Sequence, residues 1–223
     1  MDGETTWEIE SAKIIQAGFP ESYDCEAVMA HEKRIFDIVD RRKDLWIPEY
    51  PQAPDHVGLL KYCFGSALSG IGVLDVGTGK AGVFCADYLN NNFSYPHMCT
   101  DAFECTAPQG WSAKVMEADG LLATFGEGAF DYVQMIETAE HLHEHEQRSI
   151  VEQLIKVSRR YVVVTSMGIF HHLGPANEAL CKVNPFMAYK GQPNPEMLEG
   201  LGMNVVVVRG YQIIGWMDKQ AIK

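Results

Sequence analysis

Short apolar runs recur along the chain, and between them the hydrophobic positions shift to a helical spacing. Residues 24–43 carry Ala27, Val28, Ile35, Ile38 and Val39 among charges, which predicts an amphipathic helix. The stretch Ile47-Pro48-Glu49-Tyr50-Pro51-Gln52-Ala53-Pro54 cannot continue it, because proline lacks the amide donor and holds its predecessor extended. A second helix is expected over 55–68. Strands are expected at Gly72–Val76, 96–101, 113–118, 131–136 and 161–166, with a helix over 145–158 that turns Ile150, Val151, Leu154 and Ile155 to one side. Strands alternating with helices predict a mostly parallel sheet covered on both faces. The end of the chain differs. Asn204-Val205-Val206-Val207-Val208 and Tyr211-Gln212-Ile213-Ile214-Gly215-Trp216 are separated only by Arg209-Gly210, and so short a link demands an antiparallel hairpin.

With 223 residues, 47% of them hydrophobic, the chain suffices for one α/β domain with a sizeable core. The proline-dense stretch divides it into a helical accessory or lid segment, 1–54, and a main domain, 55–223. A formal net charge of −12 repels phosphate backbones and argues against nucleic-acid substrates. Arg41-Arg42-Lys43 is the exception, and a solvated helix end explains it more simply. Cys25, Cys63, Cys85, Cys99, Cys105 and Cys181 form no C-x-x-C pair and read as reduced thiols of a cytoplasmic protein. No apolar stretch approaches the roughly twenty residues that span a bilayer, and no basic leader opens the chain. A homodimer is compatible with all of this and required by none of it.

The strand Val73-Leu74-Asp75-Val76 runs into the turn Gly77-Thr78-Gly79-Lys80-Ala81-Gly82 and then into a helix, and the glycines let the backbone bend and approach a ligand that a Cβ would block. A P-loop reading fails, because Lys80 is followed by Ala81 and the required glycine offset is missing. The G-x-G-x-x-G pattern fits a dinucleotide site, with Asp101 roughly twenty residues on to hold a ribose. A third pattern adds an acid two residues before the first glycine, and Asp75 stands there. The segment from Asp75 to Ala81 resembles D-x-G-x-G-x-G, the first motif of the S-adenosylmethionine-dependent methyltransferases of Rossmann-like fold, with Ala81 in place of the third glycine. Gly128-Ala129-Phe130-Asp131 through Glu137-Thr138-Ala139-Glu140-His141-Leu142 is similar to that family's G-x-F-D turn, strand and E-x-x-E-H-L segment, in order and at its spacing. The likeness covers residues 68–166 and, less fully, the hairpin.

The resemblance implies a three-layer α/β fold with a mostly parallel seven-stranded sheet ending in an antiparallel hairpin. It implies methyl transfer from S-adenosylmethionine to a small-molecule acceptor at oxygen or nitrogen. Asp75, Gly77, Thr78 and Gly79 would surround the cofactor's methionine moiety, and Asp101, followed by Ala102, would accept from the ribose hydroxyls. Asp119 would accept from the adenine amine and the Gly120 amide would reach a ring nitrogen, while Glu137 would close the methionine end. His141 is the candidate general base, since a neutral imidazole can take the acceptor's proton; a structural histidine reads equally well there.

His141-Leu142-His143-Glu144-His145 also spells H-x-x-E-H, but that zinc motif needs one helix presenting both histidines, and this segment sits at a strand-to-helix junction. No metal is therefore expected. His171-His172 and the irregular Asn184–Lys190 stretch are candidates for substrate contact, and Trp7, Trp46 and Tyr50 for a lid or for core. A nicotinamide-dependent oxidoreductase and a non-catalytic binding protein remain the alternatives.

Overall fold

The computed structural model describes residues 25–47, 57–65, 68–79, 82–103, 105–166, 189–208 and 212–221. Seven strands form one sheet: β1 (Gly70–Val76), β2 (Phe93–Asp101), β3 (Ser112–Val115), β4 (Phe130–Met135), β5 (Ser158–Ser166), β6 (Asn204–Val208) and β7 (Gln212–Asp218). Their order is β3-β2-β1-β4-β5-β7-β6, parallel from β3 to β5, with β7 antiparallel to both β5 and β6. The expected hairpin is present, and β7 occupies the inner position while β6 lies at the edge. A seven-stranded sheet of this kind is the fold class that the sequence implied.

The helices are α1 (Cys25–Arg41), α2 (Val57–Phe64), α3 (Ala86–Asn92), α4 (Leu121–Phe125), α5 (Glu144–Val157) and α6 (Pro195–Gly200). Apolar side chains fill both faces of the sheet. One face joins Ile35, Ile38 and Val39 of α1 and Ile150, Val151 and Leu154 of α5 to Leu74, Val133, Val162 and Val164. The other gathers Leu59, Leu60, Leu89, Phe93, Tyr132, Tyr161 and Val163. The apolar stripe of α1 is thus part of the main core, which explains its periodicity.

Three expectations need adjusting. The strand expected from residue 96 begins at Phe93, and Pro96 falls at a register shift between Ile71/Ser94 and Val73/His97, where a missing amide donor breaks no regular ladder. The strand expected at 113–118 is the exposed edge strand β3, already a short 3-10 turn by Ala118–Gly120. The helix expected directly after the glycine turn starts only at Ala86, behind Cys85 in a left-handed conformation (φ 60°).

Trp46 is not a lid. Its indole Nε1 donates to Val39 O at 3.0 Å, and its backbone bridges Val207 of edge strand β6. Two residues of the basic run are paired at the helix end: Arg42 bonds Glu199 through both guanidinium amines at 2.9 Å and also Asp44, and Lys43 bonds Asp40. Glu199 and Asp44 raise the Arg42 pKa further, so a phosphate would have to displace carboxylates to reach it. Among the described residues no helix is long and apolar enough to cross a membrane. Trp7, residues 48–54 of the proline-dense stretch, Lys80, Ala81, His171, His172 and residues 184–188 lie outside the described residues, as does the Arg209-Gly210 link.

Candidate functional site

Parallel strands deliver their carboxyl ends to one edge of the sheet, and register aligns Asp75 with Cys99 on one side and Gln134 on the other. The loop after β1 leaves from this edge beside the strand-order reversal, since β2 lies to one side of β1 and β4 to the other. Gly77 and Thr78 anchor it by donating to Thr100 O at 2.8 and 3.1 Å.

Gly77 and Gly79 have left-handed backbones, with φ 78° and 60°, and their surroundings differ sharply. A Cβ on Gly77 would stand 2.7 Å from Thr138 Cβ and nearer still to that residue's methyl and hydroxyl. Thr138 Oγ1 donates to Gly77 O at 3.0 Å, so the segment after β4 packs directly on the loop. A Cβ on Gly79 would meet nothing within 4 Å among the described residues. The first glycine is required for packing. The second is required by its left-handed backbone, and no described residue crowds the side where its Cβ would stand.

Asp101, at the end of β2, accepts from Gly79 N through Oδ2 and from Phe103 N through Oδ1, both at 2.9 Å. Thr106 N donates to Gly79 O at 3.3 Å, and Ala102 is exposed between these contacts. The loop after β2 therefore brackets Gly79 from both its amide and its carbonyl, with a carboxylate at the centre.

Asp75 is 2% exposed and fully engaged: Thr78 Oγ1 and Gln134 Nε2 donate to its two oxygens, and Gln134 Oε1 accepts from Tyr132 OH at 2.8 Å. It shapes the loop through Thr78 rather than facing open space. Burial pushes its carboxyl up to about 6, with Asp101 adding to the rise and the Thr78 and Gln134 hydrogen bonds opposing it. The folded state then holds the proton more tightly than an unfolded carboxyl near 3.9. Ionisation is a net cost to the fold, so stability from this group is lost as pH rises from about 4 to 6. Asp75→Asn should be more stable than the parent by about 2 kcal/mol at pH 8, converging as pH falls to 4. Denaturant unfolding across pH tests this, and parallel stability curves would exclude it.

Glu137 follows β4 with φ 50°, and its Oε1 accepts from Thr165 Oγ1 and Gln212 Nε2, both at 2.7 Å. Its carboxylate is directed toward β5 and β7, tying three strands at the carboxyl edge; burial raises its pKa, opposed by these hydrogen bonds. Asp119 is exposed in the turn after β3, and Met116 N donates to Asp101 O at 2.9 Å, holding that turn to the end of β2. The Gly120 amide donates to Glu117 O at 3.2 Å within that turn.

His141 is half-buried in the 3-10 turn Ala139–His141, and its amide donates to Thr138 O at 3.0 Å. His145 lies in α5, with Leu142 and His143 outside any helix, so the H-x-x-E-H residues do not share the one helix that zinc would need. Glu144 is used instead by α1: it pairs with Arg34 and lies 3.1 Å from Nδ1 of His31, which is 5% exposed and whose Nε2 bonds Gln192 O at 2.8 Å. Gln147 donates to Gly191 O at 2.6 Å, and Glu140 O accepts from Lys190 N at 2.7 Å. Residues 189–192 are thereby fixed beside His141. Thr165, Gln212, His31 and Gln147 belong to no motif, and Gln134 and Thr138 fill unspecified positions of one; a polar residue inside an apolar strand, such as Gln134, is the signal that could have marked it.

Both the sheet order and the late helix start oppose a dinucleotide site. A pyrophosphate-binding loop opens directly into its helix, whose amino-terminal amides receive the phosphates, whereas here Gly82 to Cys85 intervene.

No protein-family model and no curated protein matches the chain. Solved structures do. A SAM dependent methyltransferase from Archaeoglobus fulgidus aligns with TM-score 0.51 at 14% identity, over 72% of this chain and 91% of that one. The 1,6-didemethyltoxoflavin-N1-methyltransferase of Burkholderia thailandensis, with 1,6-didemethyltoxoflavin and S-adenosylhomocysteine bound, gives 0.52 at 15% identity, over 91% and 92%. With its strand order, its antiparallel hairpin and these likenesses, the chain has the Rossmann-like fold of the S-adenosylmethionine-dependent methyltransferases.

Proposed function

We propose that this protein is an S-adenosylmethionine-dependent methyltransferase acting on a small-molecule acceptor, at oxygen or nitrogen. The observation that carries the reading is Gly79: a left-handed glycine with open space beside it, held by the Asp101 carboxylate at the carboxyl edge next to the strand-order reversal. A carboxylate presents two acceptors to a diol, which suits Asp101 to the ribose hydroxyls. Gly77, Thr78 and Gly79 would line the methionine moiety, Asp75 would hold that loop in shape through Thr78, and Asp119 would take the adenine amine. Glu137 would border the methionine end through the backbone its carboxylate anchors.

The cofactor, when bound, supplies a methyl group already activated by a sulfonium. The protein's own part is to position the acceptor, exclude water and receive a proton. His141 is the residue for the proton, because its backbone amide is bonded to Thr138 and the Thr138 hydroxyl to Gly77, which ties the turn that carries it to the glycine loop. Substrate selection would fall to segment 169–203 and to residues before α1, with 1–54 as an accessory segment and 55–223 as the catalytic domain.

Calorimetric titration with S-adenosylmethionine, S-adenosylhomocysteine and NADH in parallel tests the proposal. Micromolar binding of the first two alone is expected, and binding of NADH alone would overturn it. Asp101→Ala should weaken S-adenosylhomocysteine binding by about tenfold or more, the worth of a charged hydrogen bond of roughly 1.5 to 3 kcal/mol. Unchanged affinity would remove Asp101 from the site.

A further inference from the structure

Two thiols meet beside the glycine loop. Cys99 is buried in β2, paired in register with Asp75, and Thr78 lies within hydrogen-bonding reach of its sulfur. Cys105 is half-buried past the end of the same strand, in the loop that brackets Gly79. Its Sγ stands 2.9 Å from Cys99 Sγ, the Cys105 thiol donating. That separation is shorter than the roughly 3.5 to 4.0 Å at which carbon atoms pack. A disulfide of about 2.05 Å would need less than an ångström of further approach.

We propose that Cys99 and Cys105 form a reversible disulfide under peroxide, which staples the loop after β2 against the glycine loop. The two thiols differ in the way such a pair requires. Cys105 is reachable, so its thiolate attacks the peroxide O–O bond, giving a sulfenic acid and hydroxide. The Cys99 sulfur then displaces the sulfenic hydroxyl, its proton leaving with that group as water. In sum two thiols lose two electrons and two protons, and one peroxide becomes two waters. Burial holds the Cys99 thiol well above its usual range, which keeps it from meeting oxidant itself, and its 2.9 Å approach to the Cys105 sulfur is what lets it reach the sulfenic acid. A dithiol returns the electrons.

The consequence rests on the function proposed above. The loop holds Gly79 at both ends, through Asp101 to its amide and through Thr106 to its carbonyl. Joining Cys105 to β2 fixes that loop, so that Asp101 and Gly79 can no longer part to admit a ribose. The oxidised protein should bind S-adenosylhomocysteine at least tenfold more weakly, with affinity restored by dithiothreitol.

The test uses the full chain, reduced and then treated with stoichiometric hydrogen peroxide, with free thiols alkylated before digestion. The peptide carrying Cys99 and Cys105 is expected to lose two hydrogens, regain them with dithiothreitol, and show no such loss in Cys105→Ser, whose half-exposed position tolerates the change. Alkylation of Cys99 after oxidation, stable overoxidation of Cys105, or pairing of either with another cysteine would each overturn the proposal. A disulfide that leaves S-adenosylhomocysteine affinity unchanged would overturn its role as a switch. If the reduced protein fails to bind S-adenosylhomocysteine, the functional reading fails instead, and the mass measurement still decides the pairing.

Discussion

Gly77→Ala is expected to destabilise the protein by about 2 to 5 kcal/mol, whereas Gly79→Ala costs only about 1 kcal/mol and acts on binding. At Gly77 two penalties add. The left-handed backbone at φ 78° disfavours any Cβ, and that Cβ would drive into Thr138, whose hydroxyl is held by Gly77 O and Ile136 O. Nothing flexible can give way, because the clash is with the root of a β-branched side chain. At Gly79 the strain remains but the space is open, so the fold persists while the new methyl occupies volume assigned to the cofactor. Denaturant unfolding and S-adenosylhomocysteine titration of both variants separate the roles. Tight binding by Gly79→Ala would move the ligand elsewhere.

His141→Ala should lower turnover on an acceptor found by screening by about 10²- to 10⁴-fold, the usual contribution of a positioned general base. S-adenosylhomocysteine affinity should stay within about twofold and unfolding should be unmoved, since the turn is held by the His141 backbone amide on Thr138 O, which alanine keeps. Full turnover would reduce His141 to a structural role.

The parts of this site legible in the sequence are those where backbone geometry or strand ends restrict the residue type. Gly77 and Gly79 need left-handed conformations, Asp101 ends a strand at a fixed offset, and the short link after Val208 forces antiparallel pairing. The parts that were not legible depend on contacts between distant segments. Gln134 partners Asp75 from another strand, Thr138 packs on Gly77, and Thr165 and Gln212 share Glu137 across the sheet. Local pattern carries no record of such pairings, because each residue is ordinary within its own strand. The late start of α3 was missed for a related reason: Cys85, with φ 60°, interrupts a pattern that reads as helix-compatible by composition.

The inner position of β7 bears on how a nascent chain can assemble. β6 is synthesised first but joins the sheet by pairing with β7, which in turn pairs with β5 from Tyr161↔Asp218 to Ser166↔Ile213. On the ribosome β5 must therefore wait with an unpaired edge until residues through 218 have left the exit tunnel, and β6 has no sheet to join before then. The stretch at Trp46 and Ile47, which bonds Val207, can make that contact only after β6 is in place, so a segment translated well over a hundred residues ahead of its partner strand docks on it late.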